Sequence, residues 1–246
     1  MRRRPHLGGR DGTSAPLAGV THLGIDADDT LWHSENRFQE VHQRYHALVA
    51  EHAAVDVDEL ERRMLATERR NLRLFGYGAK GFTLSLIETA IEVTDGAIPA
   101  AAIATILEFG KDLLDHPVEL LEGVAEAIDD FRDRGLGLVL VTKGDLWHQE
   151  SKVAASGIAD RFDAVEIVSE KDVATYRSIL DRHGIEPERF CMIGNSVRSD
   201  VLPVLELGGH AVHIPYRYLW AHEAVEDPGT EILVARSLPE VAQLLG

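Results

Sequence analysis

The stretch "GIDADDTLW", residues 24–32, contains three aspartates within four positions: Asp26, Asp28 and Asp29. They come directly after an apolar run, residues 20–26, which predicts a buried strand. Aspartate is a poor strand residue and is costly to bury. The candidate explanations are a solvated turn, a metal site, or a nucleophile together with its acid and base.

The second half of the chain alternates predicted strands with predicted helices. The strand after residues 20–26 is "LGLVLVT", residues 136–142, and further strands are predicted at "DAVEIVS", "RFCMIG" and "HAVHIP". These strands are nearly continuous apolar runs, which is typical of a parallel sheet covered by helices on both faces. The sequence therefore predicts an α/β fold with a mainly parallel sheet.

A long helical region separates the first strand from the second. Ser34 offers an N-cap, and Phe38, Val41 and Tyr45 follow it at helical spacing. Three more helical patterns continue the region. Residues 33–115 are therefore predicted to form an all-helical insert.

The remaining residues divide into a core domain and a tail. Residues 20–32 and 116–246 are predicted to form the α/β core around the insert. Residues 1–19 are basic, rich in Gly and Pro, and lack the apolar stretch of a secretory signal. They predict a mobile N-terminal tail.

The composition restricts the class of function. Among the 246 residues, 25 Lys and Arg stand against 41 Asp and Glu, a formal net charge of −16. This balance argues against a nucleic-acid or acidic-membrane surface, because phosphate backbones are held by clustered Lys and Arg. No apolar run approaches the roughly 20 residues that span a bilayer. Because Cys191 is the single cysteine, no intrachain disulfide can form, which fits a reducing cytosol. We expect a cytoplasmic protein that is a monomer or a homodimer.

Four predicted strands end in polar residues. In an open parallel sheet, ligands bind outside the carboxyl ends of the strands. The residues expected at that edge are Asp26, Asp28 and Thr30 after the first strand, Thr142, Lys143 and Asp145 after the second, Ser169, Glu170 and Lys171 after the third, and Gly194, Asn195, Ser196 and Asp200 after the fourth. Four such ends together are hard to explain as solvated turns.

These residue types supply what phosphoryl transfer needs. Asp26 can be the nucleophile, since a carboxylate can form an aspartyl-phosphate. Asp28 can protonate the leaving group and later deprotonate water. Asp26 and Asp200 can hold Mg²⁺, which prefers oxygen ligands. Thr142 can donate a hydrogen bond to a phosphoryl oxygen, and Lys171 can hold nucleophile and phosphate together as a point charge.

The same residues, in this order, resemble the motifs of the haloacid dehalogenase superfamily. "DADDT", residues 26–30, resembles the DxDxT first motif, Thr142 the second, Lys171 the third, and "GNSVRSD", residues 194–200, the fourth, usually written GDxxxxD. The helical insert after the first motif matches the subgroup with a C1 helical cap. The resemblance covers residues 20–246 and implies a Rossmann-like three-layer core, Mg²⁺ and an aspartyl-enzyme intermediate.

Two positions refine what the resemblance implies. Dehalogenase members lack the second aspartate, so Asp28 favours phosphate over halide. Asn195 occupies a position that is normally acidic and commonly contacts the metal, and an amide oxygen can still ligate the ion or orient a metal-bound water. The implied metal-binding residues are Asp26, Asp28, Asn195 and Asp200.

Several assignments keep an alternative. Lys171 could be a surface lysine at a helix start, with Lys152 as the competitor for its role. Lys143 adjoins the predicted phosphate position but could be a solvated loop charge. The glycine-rich link between two insert helices is either a connector or a cap loop that lowers Tyr77 or Lys80 onto the substrate.

The predicted function is a Mg²⁺-dependent phosphatase that hydrolyses a small organic phosphate monoester through an aspartyl-phosphate. A phosphotransferase or phosphomutase of the same superfamily is one alternative. A non-catalytic binding or regulatory protein that retains the fold is another, supported only by Asn195. The expected partner is a small phosphorylated metabolite, with no nucleic acid and no membrane.

Overall fold

A computed structural model of the protein describes residues 16–218, 220–225 and 228–245. Its centre is a sheet of six strands in the order β3-β2-β1-β4-β5-β6, and every pairing between neighbours is parallel. The strands are β1 (His22–Ile25), β2 (Gly137–Lys143), β3 (Ala164–Val168), β4 (Phe190–Gly194), β5 (His210–His213) and β6 (Leu233–Val234). The predicted α/β fold is therefore confirmed. From β1 the strand order runs outward to β3 on one side, and from β4 it runs outward to β6 on the other. Open parallel sheets bind ligands at such a reversal of strand order, which here lies between β1 and β4.

Helices cover the sheet and also form the insert. Within the described residues they are α1 (Glu35–Ala50), α2 (Val57–Phe75), α3 (Ala79–Val93), α4 (Ala100–Leu114), α5 (Val124–Asp133), α6 (Leu146–Ala155), α7 (Val173–His183), α8 (Leu202–Glu206) and α9 (Leu238–Val241). The first four of these follow β1 and precede α5. No helix in the described part of the chain has the length and apolar character needed to cross a membrane.

The sheet is buried on both faces. In β2, Leu138 and Leu140 belong to an apolar cluster that includes α5, whereas Val139 and Val141 belong to another that includes α7. Because successive side chains of a strand point to opposite faces, the two helices lie on opposite sides of the sheet. This explains why the strands read as continuous apolar runs.

The helical insert has an apolar core of its own. Tyr45, Leu60, Leu86 and Ile106, one from each of its four helices, are buried in a single cluster. The Tyr45 hydroxyl donates a hydrogen bond of 2.9 Å to the Leu86 carbonyl. This separate core supports treating residues 33–115 as one unit, and its behaviour as a domain stays a prediction.

The predicted tail lies mostly outside the described residues, since the structure describes the chain from residue 16. Residues 16–18 belong to a turn that packs on the core. Leu17 is buried, and its backbone N–H donates to the Leu244 carbonyl at 3.1 Å. The end of the predicted tail is therefore part of the folded core.

Helix α1 begins differently from the prediction. Ser34 occupies the N-cap position, but its side chain makes no capping hydrogen bond. Instead, the Asp29 carboxylate accepts the backbone N–H groups of Ser34 at 2.9 Å and Glu35 at 3.1 Å. Asp29 has a φ of 63°, a conformation that aspartate tolerates better than most residues. Asp29 thus anchors the first helix of the insert.

Close packing of α3 on α4 gives a test of the insert's core. A Cβ on Gly110 would lie 2.1 Å from Thr83 Oγ1. We expect Gly110→Ala to lower the free energy of unfolding by about 1–3 kcal/mol, since overpacking strains a dense core. Urea denaturation followed by circular dichroism measures the loss.

The double variant Thr83→Ala/Gly110→Ala removes the clashing hydroxyl and methyl groups. It should be less destabilised than the sum of the two single variants, because the two positions are in contact. Strict additivity would contradict this helix contact.

Candidate active site

One cleft lies between the carboxyl edge of the sheet and the helical insert. Asp26 and Thr142 line it from the sheet side, and Phe38 and Asn71 line it from the insert. Its cavity volume is about 190 Å³, which is below the roughly 300–1,000 Å³ of drug-sized ligand sites and leaves room for a compact ligand. The polar strand ends therefore meet at a cleft suited to a small molecule.

Lys171 joins two of the predicted carboxylates. It lies between β3 and α7, and its Nζ is 2.5 Å from Asp26 Oδ1 and 2.7 Å from Asp200 Oδ1. All three residues are buried. An ammonium group has three donors, so one remains for a ligand in the cleft. The competing lysine, Lys152, binds a different carboxylate.

Asp26 is held from several directions. The Thr30 hydroxyl donates to Asp26 Oδ2 at 3.0 Å, and the Asp26 backbone N–H donates to the Ile193 carbonyl of β4 at 2.9 Å. Burial raises the pKa of Asp26 to about 7, an effect that the charge of Lys171 opposes and the charge of Asp200 reinforces. The carboxylate is thus fixed in place and poorly solvated.

The turn after β4 fixes Asp200. Val197–Val201 form a single π-helical turn, a feature found frequently at functional sites. Asp200 Oδ2 accepts the Ser196 backbone N–H at 3.0 Å. Gly194 leaves room for this carboxylate, because a Cβ there would lie 2.2 Å from Asp200 Oδ2. Gly194 is therefore required by the close approach of Asp200.

Asp28 has its own cation. Lys152 Nζ lies 2.6 Å from both carboxylate oxygens, and Trp32 Nε1 donates to Oδ1 at 2.7 Å. Burial raises the pKa of Asp28, but the charge and hydrogen bond of Lys152, together with hydrogen bonds from Trp32 and Gln149, outweigh it and hold the pKa below its usual range. With its pKa below the usual range, Asp28 is ionised at neutral pH and can accept a proton.

Gln149 is a site residue that the sequence patterns did not reveal. Its Nε2 lies 2.6 Å from Thr142 Oγ1 and 3.1 Å from both Asp28 Oδ2 and the Lys143 carbonyl. It belongs to α6, where no strand-end pattern marks it. Because Gln149 donates to the Thr142 oxygen, the Thr142 hydroxyl hydrogen is available to a ligand.

Lys143 lines the cleft but is held by acidic partners. Its Nζ lies 2.5 Å from Glu223 Oε1 and 3.3 Å from Glu170 Oε1. Glu223 also accepts hydrogen bonds from the Ser196 and Ser199 hydroxyls. Glu223 comes from the irregular loop after β5, outside all four motifs, so no sequence pattern marked it.

The structure separates the two candidates of the insert loop. Tyr77 lines the cleft, and its hydroxyl donates to Glu170 Oε2 at 2.6 Å. Lys80 does not line the cleft and is instead 2.9 Å from Asp145 Oδ1. Of the two residues proposed for substrate binding, Tyr77 therefore reaches the site, and Lys80 forms a half-exposed ion pair between insert and core.

The donor set at the cleft floor fits Mg²⁺. Asp26 and Asp200 bring two carboxylates together, and Asn195 lines the same cleft. Among the described residues, no three His, Cys, Asp or Glu side chains are grouped to hold a metal by themselves. Mg²⁺ is commonly bound by one or two carboxylates plus water and substrate phosphate, so two are enough. Asp28 is less suited to this role, because Lys152 occupies both of its oxygens.

Comparison with protein families and solved structures identifies proteins that are similar to this chain. The model of the family described as haloacid dehalogenase-like hydrolase matches residues 20–208. The chain is 44% identical to a solved haloacid dehalogenase-like family hydrolase from Xanthomonas campestris. That similarity covers 90% of this chain and 91% of the other, with a TM-score of 0.76.

Two curated phosphatases are more distantly similar. A phosphoserine phosphatase of Thermus thermophilus is 30% identical over 139 residues, 54% of this chain and 54% of its own length. A glyceraldehyde 3-phosphate phosphatase of Methanothermobacter thermautotrophicus is 27% identical over 122 residues, 47% of this chain and 54% of its own length. The chain spans about half the length of the curated relatives it matches.

The different environments of the two lysines give a test of the site. Lys171→Met would leave Asp26 and Asp200 buried together without their cation, and breaking such a pair costs about 3–5 kcal/mol. Lys152→Met should cost less, because Asp28 keeps other hydrogen-bond donors and its side chain is 30% exposed. Urea unfolding at neutral pH compares the two variants.

The loss of unfolding free energy caused by Lys171→Met should also become smaller as the pH falls towards 5. Removing the lysine takes away the charge that holds down the pKa of Asp26, so Asp26 is protonated at a higher pH and its repulsion with Asp200 disappears. An equal or larger loss in Lys152→Met, independent of pH, would contradict the central position of Lys171.

Proposed function

Because the chain belongs to the haloacid dehalogenase-like hydrolase family, we propose that it is a Mg²⁺-dependent phosphatase of a small organic phosphate monoester. The family match confirms the resemblance drawn from the sequence motifs. The observation that carries the proposal is the buried contact of Asp26, Lys171 and Asp200 in the cleft that Thr142 also lines. A nucleophilic carboxylate, a cation and a hydroxyl donor face one small-molecule cleft.

In the first step, an Asp26 oxygen attacks phosphorus while the bond from phosphorus to the alcohol oxygen breaks. The Thr142 hydroxyl and the third donor of Lys171 stabilise the charge on the phosphoryl oxygens. The leaving oxygen takes a proton that starts on the Lys152 ammonium and passes through the Asp28 carboxylate across their 2.6 Å contacts, which leaves Lys152 neutral and Asp28 ionised. The products are the free alcohol and an aspartyl-phosphate on Asp26.

In the second step, water attacks the same phosphorus and the Asp26–phosphorus bond breaks. Asp28 accepts the proton of that water, and the proton returns to Lys152. Inorganic phosphate leaves and Asp26 is restored. The low pKa of Asp28 suits this base role, since the group is ionised before the water arrives.

The metal assignment rests on the carboxylates of the cleft floor. Asp26 and Asp200 would hold Mg²⁺, with Asn195 as a neutral oxygen donor beside them. When bound, the ion neutralises charge on the phosphoryl group. Each carboxylate has lone pairs beyond those used by Lys171, so lysine and metal can share them.

The similar phosphatases support a small substrate. The two curated relatives are named for glyceraldehyde 3-phosphate and phosphoserine, both small phosphate monoesters. The cleft, closed on one side by the insert, is consistent with a ligand of that size. A cap that covers the site can exclude water during the first step.

The direct test is phosphate release from a panel of phosphate monoesters with Mg²⁺ present. We expect inorganic phosphate to appear with wild type, whereas Asp26→Asn should retain the fold and lose essentially all turnover because an amide is a poor nucleophile. Asp112→Asn, an exposed change of the same kind in the insert, serves as the matched control. Substantial turnover in Asp26→Asn would rule out the mechanism, and phosphoryl transfer to a second metabolite without phosphate release would favour a phosphotransferase.

The Asp28–Lys152 pair gives a second test. General acid–base groups typically contribute about 10²–10⁴-fold to the rate, so Asp28→Asn should lose that much on alkyl phosphates. The loss should be much smaller on p-nitrophenyl phosphate, whose leaving group needs no proton.

Lys152→Met should show the same dependence on the leaving group if Lys152 supplies the proton. Lys111→Met, an exposed lysine of the insert, is the control. If Lys152→Met lost the same factor in rate on alkyl phosphates and on p-nitrophenyl phosphate, this would contradict the role of Lys152 as the source of the proton.

A further inference from the structure

The cleft has more acidic side chains than phosphate chemistry requires. Its described lining includes seven carboxylates but only two lysines: Asp26, Asp28, Asp29, Asp200, Glu35, Glu68 and Glu223 against Lys143 and Lys171. Both lysines are on the core side and already contact carboxylates. On the insert side, Glu35 and Glu68 face the cleft with no lysine or arginine of the described lining beside them.

Glu68 of α2 is the unusual member of this wall. It is only 7% exposed, yet no hydrogen bond to its carboxylate is found among the described residues. The nearest ionisable partner is His222, whose Nε2 lies 3.6 Å from Glu68 Oε2, beyond hydrogen-bond distance. His222 Nε2 is itself buried and without a hydrogen-bond partner in the described structure. The Glu68 carboxylate therefore faces the cleft without a hydrogen-bond donor from the described residues, and a donor on a ligand would satisfy it.

Glu35 lies close enough to reinforce the charge of Glu68. Gln39 donates to Glu35 Oε1 at 3.0 Å. Burial, with the charge of Glu68 adding to it and the hydrogen bond from Gln39 opposing it, raises the pKa of Glu35 to about 7. The two carboxylates thus form one negative subsite at the insert end of the cleft.

Aromatic side chains border the same end. Phe38 and Phe82 line the cleft and contact each other edge to face, with their ring centres 5.1 Å apart. An aromatic face attracts a cation as well as an alkyl chain. The wall therefore combines negative charge with an apolar surface.

We propose that Glu68, assisted by Glu35, binds a protonated amine on the alcohol part of the substrate. The substrate class is then the phosphate monoester of an amino alcohol, with phosphate at Asp26 and ammonium at Glu68. This inference rests on the proposed phosphatase function, because it places the phosphate end at the cleft floor. A neutral hydroxyl could satisfy one acceptor but not the charge, and a carboxylate on the ester would be repelled.

The test compares three esters of similar size: 2-aminoethyl, 2-hydroxyethyl and carboxymethyl phosphate. A hydrogen bond to a charged group is typically worth enough to change an equilibrium about ten- to hundredfold. We expect wild type to have a kcat/KM for the amine ester higher than that for the hydroxyl ester by about this factor, and the carboxylate ester to be poorest.

Glu68→Gln removes the charge and should bring the amine-to-hydroxyl ratio of kcat/KM close to one. Glu61→Gln makes the same change on the exposed side of α2 and should keep the wild-type ratio. If Glu68→Gln fails to fold, a wild-type enzyme with no preference for the amine ester would still overturn the amine subsite.

The outcomes separate the two proposals. Hydrolysis that depends on Asp26 but shows no preference for the amine ester would overturn the amine subsite and leave the phosphatase function intact. An amine preference that survives in Glu68→Gln would overturn the role of Glu68. If none of the three esters and no other phosphate monoester is hydrolysed with Mg²⁺ present, both proposals fail.

Discussion

The contact of Lys171 with two buried carboxylates organises the rest of the site. Asp26 follows the central strand, Asp200 lies in the turn after β4, and Lys171 comes from the connection after β3. One ammonium within 2.7 Å of both carboxylates fixes three separate chain segments relative to each other. Without it, the two negative charges would repel each other in a poorly solvated place. The parallel sheet matters for function because it delivers these segments to one edge.

The sequence predicts most of this arrangement because strand ends meet by topology. Once β1 to β4 are recognised as parallel strands, Asp26, Thr142, Lys171 and Asp200 must lie near one edge. Gln149 could not be predicted in the same way, because it reaches the site from a helix and its contacts depend on how α6 packs. Glu223 comes from an irregular loop after β5, where no periodic pattern indicates a position. Local patterns locate strand ends but do not show which distant side chains fold over them.

The aspartates of the first motif also show where local patterns mislead. Ser34 has the residue type of an N-cap, yet Asp29, with its left-handed backbone, accepts the N–H groups at the start of α1. Likewise, Lys80 has the charge expected of a phosphate ligand but is attracted by Asp145 outside the cleft. The three aspartates therefore have three roles: Asp26 as the candidate nucleophile, Asp28 as the partner of Lys152, and Asp29 as the anchor of the insert.

The central claim is that Asp26 receives the phosphoryl group, and trapping that intermediate tests it most directly. A monoester labelled in its phosphoryl group would be mixed with enzyme and Mg²⁺, quenched in acid during the first turnover, and the protein digested. We expect label on the peptide that contains Asp26, bound as an alkali-sensitive acyl phosphate. Release of labelled phosphate in the first turnover with the protein never labelled, or with the label on another residue, would contradict it.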